Sequence, residues 1–366
     1  MIARALLAIG VLWSGPMVGA QSADVYQQLL RLYQDQPALA AQTVAKLSGD
    51  AIGRGIQVCR DGRCSLQQLR AGAMLHADAA DLVSGPVGYK ARDQIRFGRE
   101  LLEIAGNVAL NNRAPQHELN ALELFGGRWY ALTSRLLLAH GHFEVARLVV
   151  TEGRVNYPRS PDLFVVLGLL NEWRGGLGLD SGDLRGFIVR GELFDRGFGG
   201  AGPGAVPYRG NALREVQLAT EDYRRAIDLD PVHAGARLRL AWAHLLAADR
   251  RVWEDLPPDF IKKASPEAQY LAHLLRGTAA ERERNATSAL AEYEAARLAA
   301  PDSQTACLAV SSAQALNGEM SESRTTAVEC LNAGLPVPDV DAWTVFRIGL
   351  MDLTTTTAMR DEARRR

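Results

Sequence analysis

ATEDYRRAIDLDP, at residues 219–231, is matched in spacing by ALAEYEAARLAAP at residues 289–301. In each segment two alanines lie seven residues apart, a tyrosine follows the first alanine by four residues, and a proline follows the second by five. Small residues two helical turns apart lie on one face, where they let a neighbouring helix approach closely. The proline cannot continue a helix, because it lacks the backbone N–H and clashes with the preceding turn. Each segment therefore predicts the second helix of a helical hairpin.

The same spacing marks further copies along the chain. Residues 142–158, HFEVARLVVTEGRVNYP, carry two small residues and a proline at the same intervals of seven and five. Four prolines lie 35 residues apart: Pro231, Pro266, Pro301 and Pro336. Nine and ten residues after three of the closing prolines come the apolar–small pairs Leu167-Gly168, Leu240-Ala241 and Val310-Ser311. Each hairpin leaves an apolar face uncovered, so successive hairpins must stack into an array.

These repeats resemble the tetratricopeptide repeat family, whose units have ~34 residues. The resemblance covers residues 127–337 and implies the units 127–160, 161–231, 234–266, 267–303 and 304–337. We therefore expect an all-α fold: an α-solenoid of tetratricopeptide-like helical hairpins, with an N-terminal helical region and a Gly-rich loop insertion. The family is defined by its core and not by a site, so the resemblance predicts the fold and leaves the function open.

Parts of the chain depart from the family pattern. Residues 177–213 are an insertion, rich in glycine, between the two helices of the second unit. Pro257-Pro258 predicts a break in the second helix of the third unit, since neither proline fits a helix interior. Residues 338–366 predict a C-terminal capping helix followed by a frayed basic tail.

The first 126 residues lack clear repeat marks. Residues 1–20 combine an early arginine with an apolar run and end in Val-Gly-Ala, which predicts a secretory signal peptide. An uncleaved N-terminal anchor is the alternative. Residues 21–126 predict an N-terminal helical domain or degenerate repeats, and Ile56–Cys59 is a candidate for a short strand.

The cysteines are Cys59, Cys64, Cys307 and Cys330, in a chain that we expect to meet an oxidising compartment. A zinc site needs four ligands, and a thioredoxin-like centre has two residues between its cysteines where Cys59 and Cys64 have four. In the last repeat, Cys307 lies early in the first helix and Cys330 late in the second, levels that an antiparallel hairpin brings together. We therefore predict the disulfides Cys307–Cys330 and Cys59–Cys64, the second one around a β-like turn.

Charge and motifs argue against several classes of function. With 41 Lys+Arg and 42 Asp+Glu, the chain has no basic field to hold nucleic acid. Gly197, Gly199 and Gly202 spell G-x-G-x-x-G, but glycine-rich coil and prolines follow where a dinucleotide site needs a helix. The stretch AHGHFE at residues 139–144 lies at a turn, where side chains two positions apart diverge. We therefore predict no cofactor, no metal site and no catalytic residue.

By the resemblance, the first helices of the repeats line a concave groove that commonly binds a peptide segment of a partner. The groove residues implied here are Arg128, Arg135, Val165, Leu169, Glu172, Leu238, Trp242, Leu271 and Thr278. The Lys/Asn cluster with which some family members clamp a C-terminal carboxylate is missing from these positions, so an apolar or helical ligand is expected. Core packing between neighbouring units is the alternative for each residue, Trp242 in particular.

The function expected on these grounds is that of an exported bacterial scaffold or adaptor, periplasmic or secreted. It would bind a protein partner, through an apolar or helical segment of an envelope or secreted protein, and no nucleic acid. We expect no transmembrane segment in the mature chain. Two alternatives stay open: an enzyme or small-ligand-binding module in residues 21–126 or in the insertion, and an accessory protein of envelope assembly or polysaccharide export.

Overall fold

A computed structural model describes residues 20–83, 89–177, 211–332, 342–347 and 353–365. Every regular element within these ranges is helical, which confirms the expected all-α class. The prediction of a short strand at Ile56–Cys59 is wrong, because Ile56 lies inside a helix. Residues 1–19 of the predicted signal peptide, and 178–210 of the Gly-rich insertion, lie outside the described residues.

The helices that precede the array form between Ala20 and Asn111. They are α1 (Ala20–Asp35), α2 (Pro37–Val44), α3 (Gly49–Val58), α4 (Leu66–Val83) and α5 (Tyr89–Asn111). Ser48 starts α3 by accepting a hydrogen bond from the backbone N–H of Ala51, the usual role of a serine N-cap. A five-residue helical turn, Cys59–Arg63, continues α3.

The array consists of helical hairpins in chain order. Its helices are α6 (Gln116–Ala139), α7 (Phe143–Asn156), α8 (Pro161–Leu177), α9 (Asn211–Leu229), α10 (Ala234–Leu246), α11 (Val252–Asp255), α12 (Pro258–Lys263), α13 (Pro266–Arg282), α14 (Ala286–Ala299), α15 (Gln304–Leu316) and α16 (Met320–Asn332). Neighbouring helices pack pairwise along the chain, α8 with α9 and α13 with α14 most extensively, so the fold is an α-solenoid of tetratricopeptide-like hairpins. The helix breaks at Pro257-Pro258, as their position predicted: Pro257 is the N-cap of α12 and Pro258 is its first residue. Two more helices follow the array, α17 (Ala342–Arg347) and α18 (Leu353–Arg364).

The chain divides into two compact units. The first comprises residues 1–122 and 357–366, and the second comprises residues 123–356. The division falls within α6 and again within α18.

The core of the first unit contains a buried histidine. His76 Nε2 lies 3.0 Å from Tyr26 Oη, and His76 Nδ1 lies 2.7 Å from Gln94 Oε1. Burial lowers the pKa of His76 to about 4, although the hydrogen bond to Gln94 acts in the opposite direction. The folded unit therefore holds a neutral imidazole at neutral pH, because a charged ring would have to be desolvated.

Both predicted cysteine pairs lie at disulfide distance. The Sγ atoms are 2.02 Å apart in Cys59–Cys64 and 1.96 Å apart in Cys307–Cys330. The turn inside the first pair is helical and not β-like, so that expectation is wrong. Gly62 has a φ of 79°, a left-handed conformation that glycine adopts without a Cβ clash, and it turns the chain back toward Cys59.

Most of the C-terminal helix α18, from residue 357 onward, belongs to the first unit. Arg360 Nη2 donates to Asp78 Oδ1 at 2.6 Å, and Tyr33 Oη donates to Asp78 Oδ2 at 2.8 Å. Gln67 Nε2 donates to the backbone carbonyl of Ala363 at 2.6 Å. Hydrogen bonds to a charged group are stronger than neutral ones, so the shared carboxylate of Asp78 anchors the helix.

Tyrosines that pack against glycines set the spacing between helices in the second unit. A Cβ placed on Gly168 of α8 would come within 2.3 Å of Tyr223 Cε1 of α9. A Cβ on Gly277 of α13 would come equally close, 2.3 Å, to Tyr293 Cε1 of α14. Because real Cβ atoms do not approach other atoms so closely, only glycine lets these helices pack at this distance. A glycine at these two positions is therefore a steric requirement of the second and fourth hairpins.

The turns between paired helices repeat one backbone conformation. The residue with positive φ after the first helix is Ala248 (57°) in one hairpin, Arg284 (58°) in the next and Gly318 (87°) in the last. The following residue returns a backbone hydrogen bond into the helix, as Asp249 N does to the carbonyl of His244 at 2.8 Å. This is the left-handed helix C-cap, for which glycine is the preferred residue.

Replacement of Ala248 by glycine is expected to raise the free energy of unfolding of the array by about 1 kcal/mol, because it removes the steric cost of a left-handed alanine. The reciprocal control is Gly318→Ala, which should lower stability by a similar amount, since a Cβ there meets no atom within 4 Å and only the backbone is strained. Urea denaturation followed by far-ultraviolet circular dichroism measures both changes. A stabilising Gly318→Ala would contradict this account of the turn.

Acidification should destabilise the first unit through His76. The unfolded histidine titrates near 6.5 and the folded one at about 4, so the stabilising neutral state is complete above pH 6.5 and is lost as the pH falls toward 4. Titration of this residue lowers the free energy of unfolding by about 3 kcal/mol at pH 4. Hydrogen exchange of α4 peptides between pH 7 and pH 4 measures this loss of stability. The His76→Gln variant is expected to show a smaller change of stability over the same pH range. The exposed His117→Gln is the control, and a His76→Gln variant with the wild-type pH dependence would refute the prediction.

Candidate protein-binding groove

The predicted groove residues lie on the first helices of successive hairpins, α6, α8, α10 and α13, whose shared side is called the inner face here. The structure divides them by exposure. Six are buried: Val165, Leu169, Glu172, Leu238, Trp242 and Leu271. Arg128, Arg135 and Thr278 are half-buried. Most of the expected ligand contacts are therefore covered in this structure.

A charged cluster lies near the start of α8. Asp162 Oδ2 accepts from Arg128 Nε at 3.4 Å, and Asp162 Oδ1 lies 3.3 Å from His233 Nε2. The backbone N–H of Ala236 donates to His233 Nδ1 at 3.1 Å, so the proton of the neutral ring is on Nε2, which donates to Asp162. Burial raises the pKa of Asp162, but the hydrogen bond from His233, with the charges of Arg128 and Arg135, outweighs it and holds the pKa below its usual value. This carboxylate therefore fixes Arg128 at the edge of the inner face.

A buried carboxylate joins three helices at the middle of the inner face. Glu172 of α8 accepts from Tyr223 Oη of α9 at 2.5 Å and from Arg239 Nη1 of α10 at 3.3 Å. Burial raises the pKa of Glu172, and Arg239 and Tyr223 offset only part of that rise. Burial and the adjacent Glu172 raise the pKa of Tyr223 well above its usual value, so Tyr223 is the proton donor of the pair. The cluster holds the Arg239 guanidinium on the inner face.

The same relation of glycine, glutamate and tyrosine occurs again in the fourth hairpin. Glu281 lies four residues after Gly277, as Glu172 lies four residues after Gly168. Glu281 accepts from Ser312 Oγ of the next hairpin at 3.4 Å and is hydrogen-bonded to Tyr293. Burial raises its pKa. The second cluster therefore has a neutral serine where the first has an arginine.

Helix α17 covers the inner face beside the first cluster. The Trp343 ring packs edge-on against Trp242 at a centroid distance of 5.8 Å, and Phe346 packs edge-on against Trp242 at 6.3 Å. The Arg239 guanidinium carbon lies 4.2 Å from the Phe346 ring centroid, and Arg239 Nη2 donates to the backbone carbonyl of Phe346. Helix α17 also packs against α13. Aromatic, cation–π and hydrogen-bond contacts thus hold six residues of this chain on the predicted groove.

Sequence reasoning found Trp242 and Glu172 but missed the residues that complete their surroundings. Arg239 lies directly before an apolar–small pair and gives no signal of its own, because its importance comes from a carboxylate 67 residues earlier. Trp343 and Phe346 lie three positions apart, which is the spacing of one helix face. That spacing could have identified α17 as an apolar segment in need of a partner surface.

Other candidate sites find no support among the described residues. Within those ranges no group of three or more His, Cys, Asp or Glu side chains could hold a metal ion. Gly141 turns the chain with a φ of 76° in the AHGHFE stretch, so this stretch is a hairpin turn. None of the described helices combines the length and hydropathy needed to cross a membrane. The G-x-G-x-x-G glycines lie outside the described residues.

Comparisons with known proteins give little further information. No protein-family model matches the chain, and no curated protein matches it. Among solved structures, the human IFIT1 dimer with m7Gppp-AAAA aligns at 12% identity and a TM-score of 0.38, over 86% of this chain and 67% of that chain. The human IFIT1 dimer with PPP-AAAA aligns at 13% identity and a TM-score of 0.35, over 87% of this chain and 73% of that chain. Similarity this low supports no inference about ligands.

Removal of the carboxylate at Glu172 should destabilise the array more than removal of the one at Glu281. Glu172→Ala leaves Arg239, itself only 5% exposed, without its carboxylate and should lower the free energy of unfolding by about 3 kcal/mol. Glu281→Ala removes neutral hydrogen bonds and should cost about 1 kcal/mol. Chemical denaturation of the two variants side by side measures the difference. Equal losses would show that Arg239 does not depend on Glu172.

Proposed function

We propose that this protein is an exported helical-repeat scaffold that binds a partner protein through the inner face of its array. The observation that supports the proposal is the seating of α17, whose Trp343 and Phe346 rest on Trp242. An inner face that holds a short aromatic helix of its own chain has the shape and chemistry to hold one from another protein. Binding of a helix in a groove is a recurring mode of peptide recognition.

The composition of the inner face favours an apolar or helical partner segment. Trp242 offers an aromatic surface, and Arg239 offers donors to backbone carbonyls at a helix end. At the edge, Arg128 is 35% exposed and is held by Asp162, so it can meet a polar or acidic group beside the apolar contact. A partner segment from an envelope or secreted protein would combine these features.

Export is supported by the state of the cysteines. The described residues contain no free cysteine, and both disulfides lie within single structural units. Such bonds persist in oxidising compartments and are rare where thiols are kept reduced. The proposed signal peptide at residues 1–20 is consistent with that compartment.

The alternatives expected from the sequence gain no specific support. The carboxyl groups Glu172 and Glu281, whose pKa values burial raises, are bonded to tyrosines between helices. This arrangement explains their shifted pKa values by packing, without a reaction. An accessory role in envelope assembly is a variant of the scaffold function and differs only in the partner.

Site-directed photo-cross-linking tests the scaffold function in the native cell envelope. A photo-reactive benzoylphenylalanine in place of the half-buried Arg128 or Thr278 should form a discrete adduct with one partner. The same residue in place of Leu298, which is 81% exposed on α14, is the control and should not form it. Leu238 and Trp242 are unsuitable positions, because they are only 4% and 1% exposed and substitution there would disturb folding.

The pattern of adducts decides the outcome. A partner trapped from the inner face and not from α14 supports the groove. The same adducts from Leu298, or none from any inner-face position, would count against binding through this face.

A further inference from the structure

Helix α17 occupies the inner face as a ligand would. Its two described aromatic side chains, Trp343 and Phe346, lie on one side of the helix with their rings 6.0 Å apart, and both pack on Trp242. Carbonyls in the last turn of a helix have no partner within the helix. The Phe346 carbonyl is such a group, and the Arg239 guanidinium satisfies it.

We propose that α17 is a displaceable occupant that closes the partner groove until a partner helix with two aromatic residues three positions apart takes its place. The inference rests on the proposed function, because it assigns a partner chemistry and a regulation to the same face. The partner segment would mimic α17: a short helix with an aromatic pair on one face and an uncapped carbonyl at its end.

The receiving surface is assembled without α17. Arg239 is held by Glu172, and Glu172 is held in turn by Tyr223, all within the helices α8, α9 and α10. Trp242 is part of α10, a helix of thirteen residues that is buried over most of its length. Departure of α17 therefore leaves the guanidinium and the indole where a second helix can use them. A preformed site binds with less loss of conformational entropy.

Helix α17 itself depends on the surface for its conformation. It has six residues, and isolated helices shorter than ~12 residues are unstable in water. Trp343 and Phe346 keep 8% and 9% of their surface exposed, whereas Trp242 beneath them keeps 1%. The occupant thus lies at the outer layer of the core, and its release opens no hairpin of the array.

The fit of α17 leaves one polar group of the groove without a partner. Trp242 Nε1 is buried and has no hydrogen-bond acceptor among the described residues. A buried donor without an acceptor lowers the stability of the occupied state. A partner helix that places a carbonyl or carboxylate oxygen beside this N–H would gain a contact that the described part of α17 lacks, and so could compete with a tethered segment.

A peptide-binding experiment on the full-length protein tests the proposal. The probe is a fluorescein-labelled peptide with the sequence of residues 339–350, DVDAWTVFRIGL. The double variant Trp343→Ser, Phe346→Ser should bind it at least about tenfold more tightly than the wild type, because the intact chain presents its own α17 to the same surface. A peptide with both aromatic residues replaced by serine is the control and should not bind. Equal affinity of the wild type and the double variant would overturn the proposal.

A second variant identifies the surface that the peptide uses. Arg239→Leu, added to the double variant, removes the donor to the helix-end carbonyl and should weaken peptide binding about tenfold. Arg297→Leu on α14 is the matched control and should leave binding unchanged. Equal effects of the two substitutions would show that the peptide does not bind at Arg239, and would reject the inner face as its binding surface.

Hydrogen exchange of the wild type tests the proposal without the double variant, and so is informative where that variant fails to fold. Displaceability requires the amides of α17 to exchange at least about 100-fold faster than those of α10, through local opening. Exchange of both helices at one common rate would show that α17 is a permanent part of the core.

The inference and the proposed function fail in different ways. Partner cross-links that form equally in the wild type and the double variant would retain the scaffold function and reject displacement. Tight peptide binding by the double variant, with no inner-face adduct in the envelope, would retain α17 as an occupant and reject the scaffold function.

Discussion

The close approach of a glycine to a tyrosine ring is the constraint on which the array depends. Gly168 against Tyr223 and Gly277 against Tyr293 bring paired helices closer than any larger residue would allow. At that distance the tyrosine hydroxyl reaches a glutamate one turn beyond the glycine, as Tyr223 reaches Glu172. Steric fit and a buried hydrogen bond therefore arise from the same three positions. Packing of this density also explains why small residues recur at the same positions, since each close contact determines how the two helices of its hairpin pack.

The buried glutamate also positions an arginine on the inner face. Glu172 needs a compensating charge, and Arg239 supplies it from the next hairpin. The guanidinium has donors left over, and these meet the carbonyl of Phe346. The arginine that compensates the charge of Glu172 therefore also makes the polar contact with helix α17. The counterpart Glu281 has Ser312 in place of an arginine, so that cluster places a hydroxyl group where the first places a guanidinium.

Local patterns in the sequence were sufficient for the helices and the hairpins. The spacing of small residues around Tyr223 and Tyr293 reflects contacts between neighbours in the chain, so a single sequence reveals it. Gly277 was missed, because it lies eleven residues after Pro266 and so falls outside the spacing of nine and ten residues that marks the other first helices. The sequence left core packing open for each groove residue, but it did not identify α17 as the helix that packs on Trp242. A contact between segments about 100 residues apart leaves no periodic trace in either one.

The docking of α18 beside Asp78 has a consequence for the order of events during synthesis. The first unit contains residues from both ends of the chain, 1–122 and 357–366, with the whole array between them. A chain made from its N-terminus exposes Asp78 and Tyr33 long before Arg360 exists. Domains whose segments are contiguous can fold as they emerge, whereas this unit also needs residues 357–365, which are synthesised after the array. The first unit is therefore completed only after the chain of the second unit has been made.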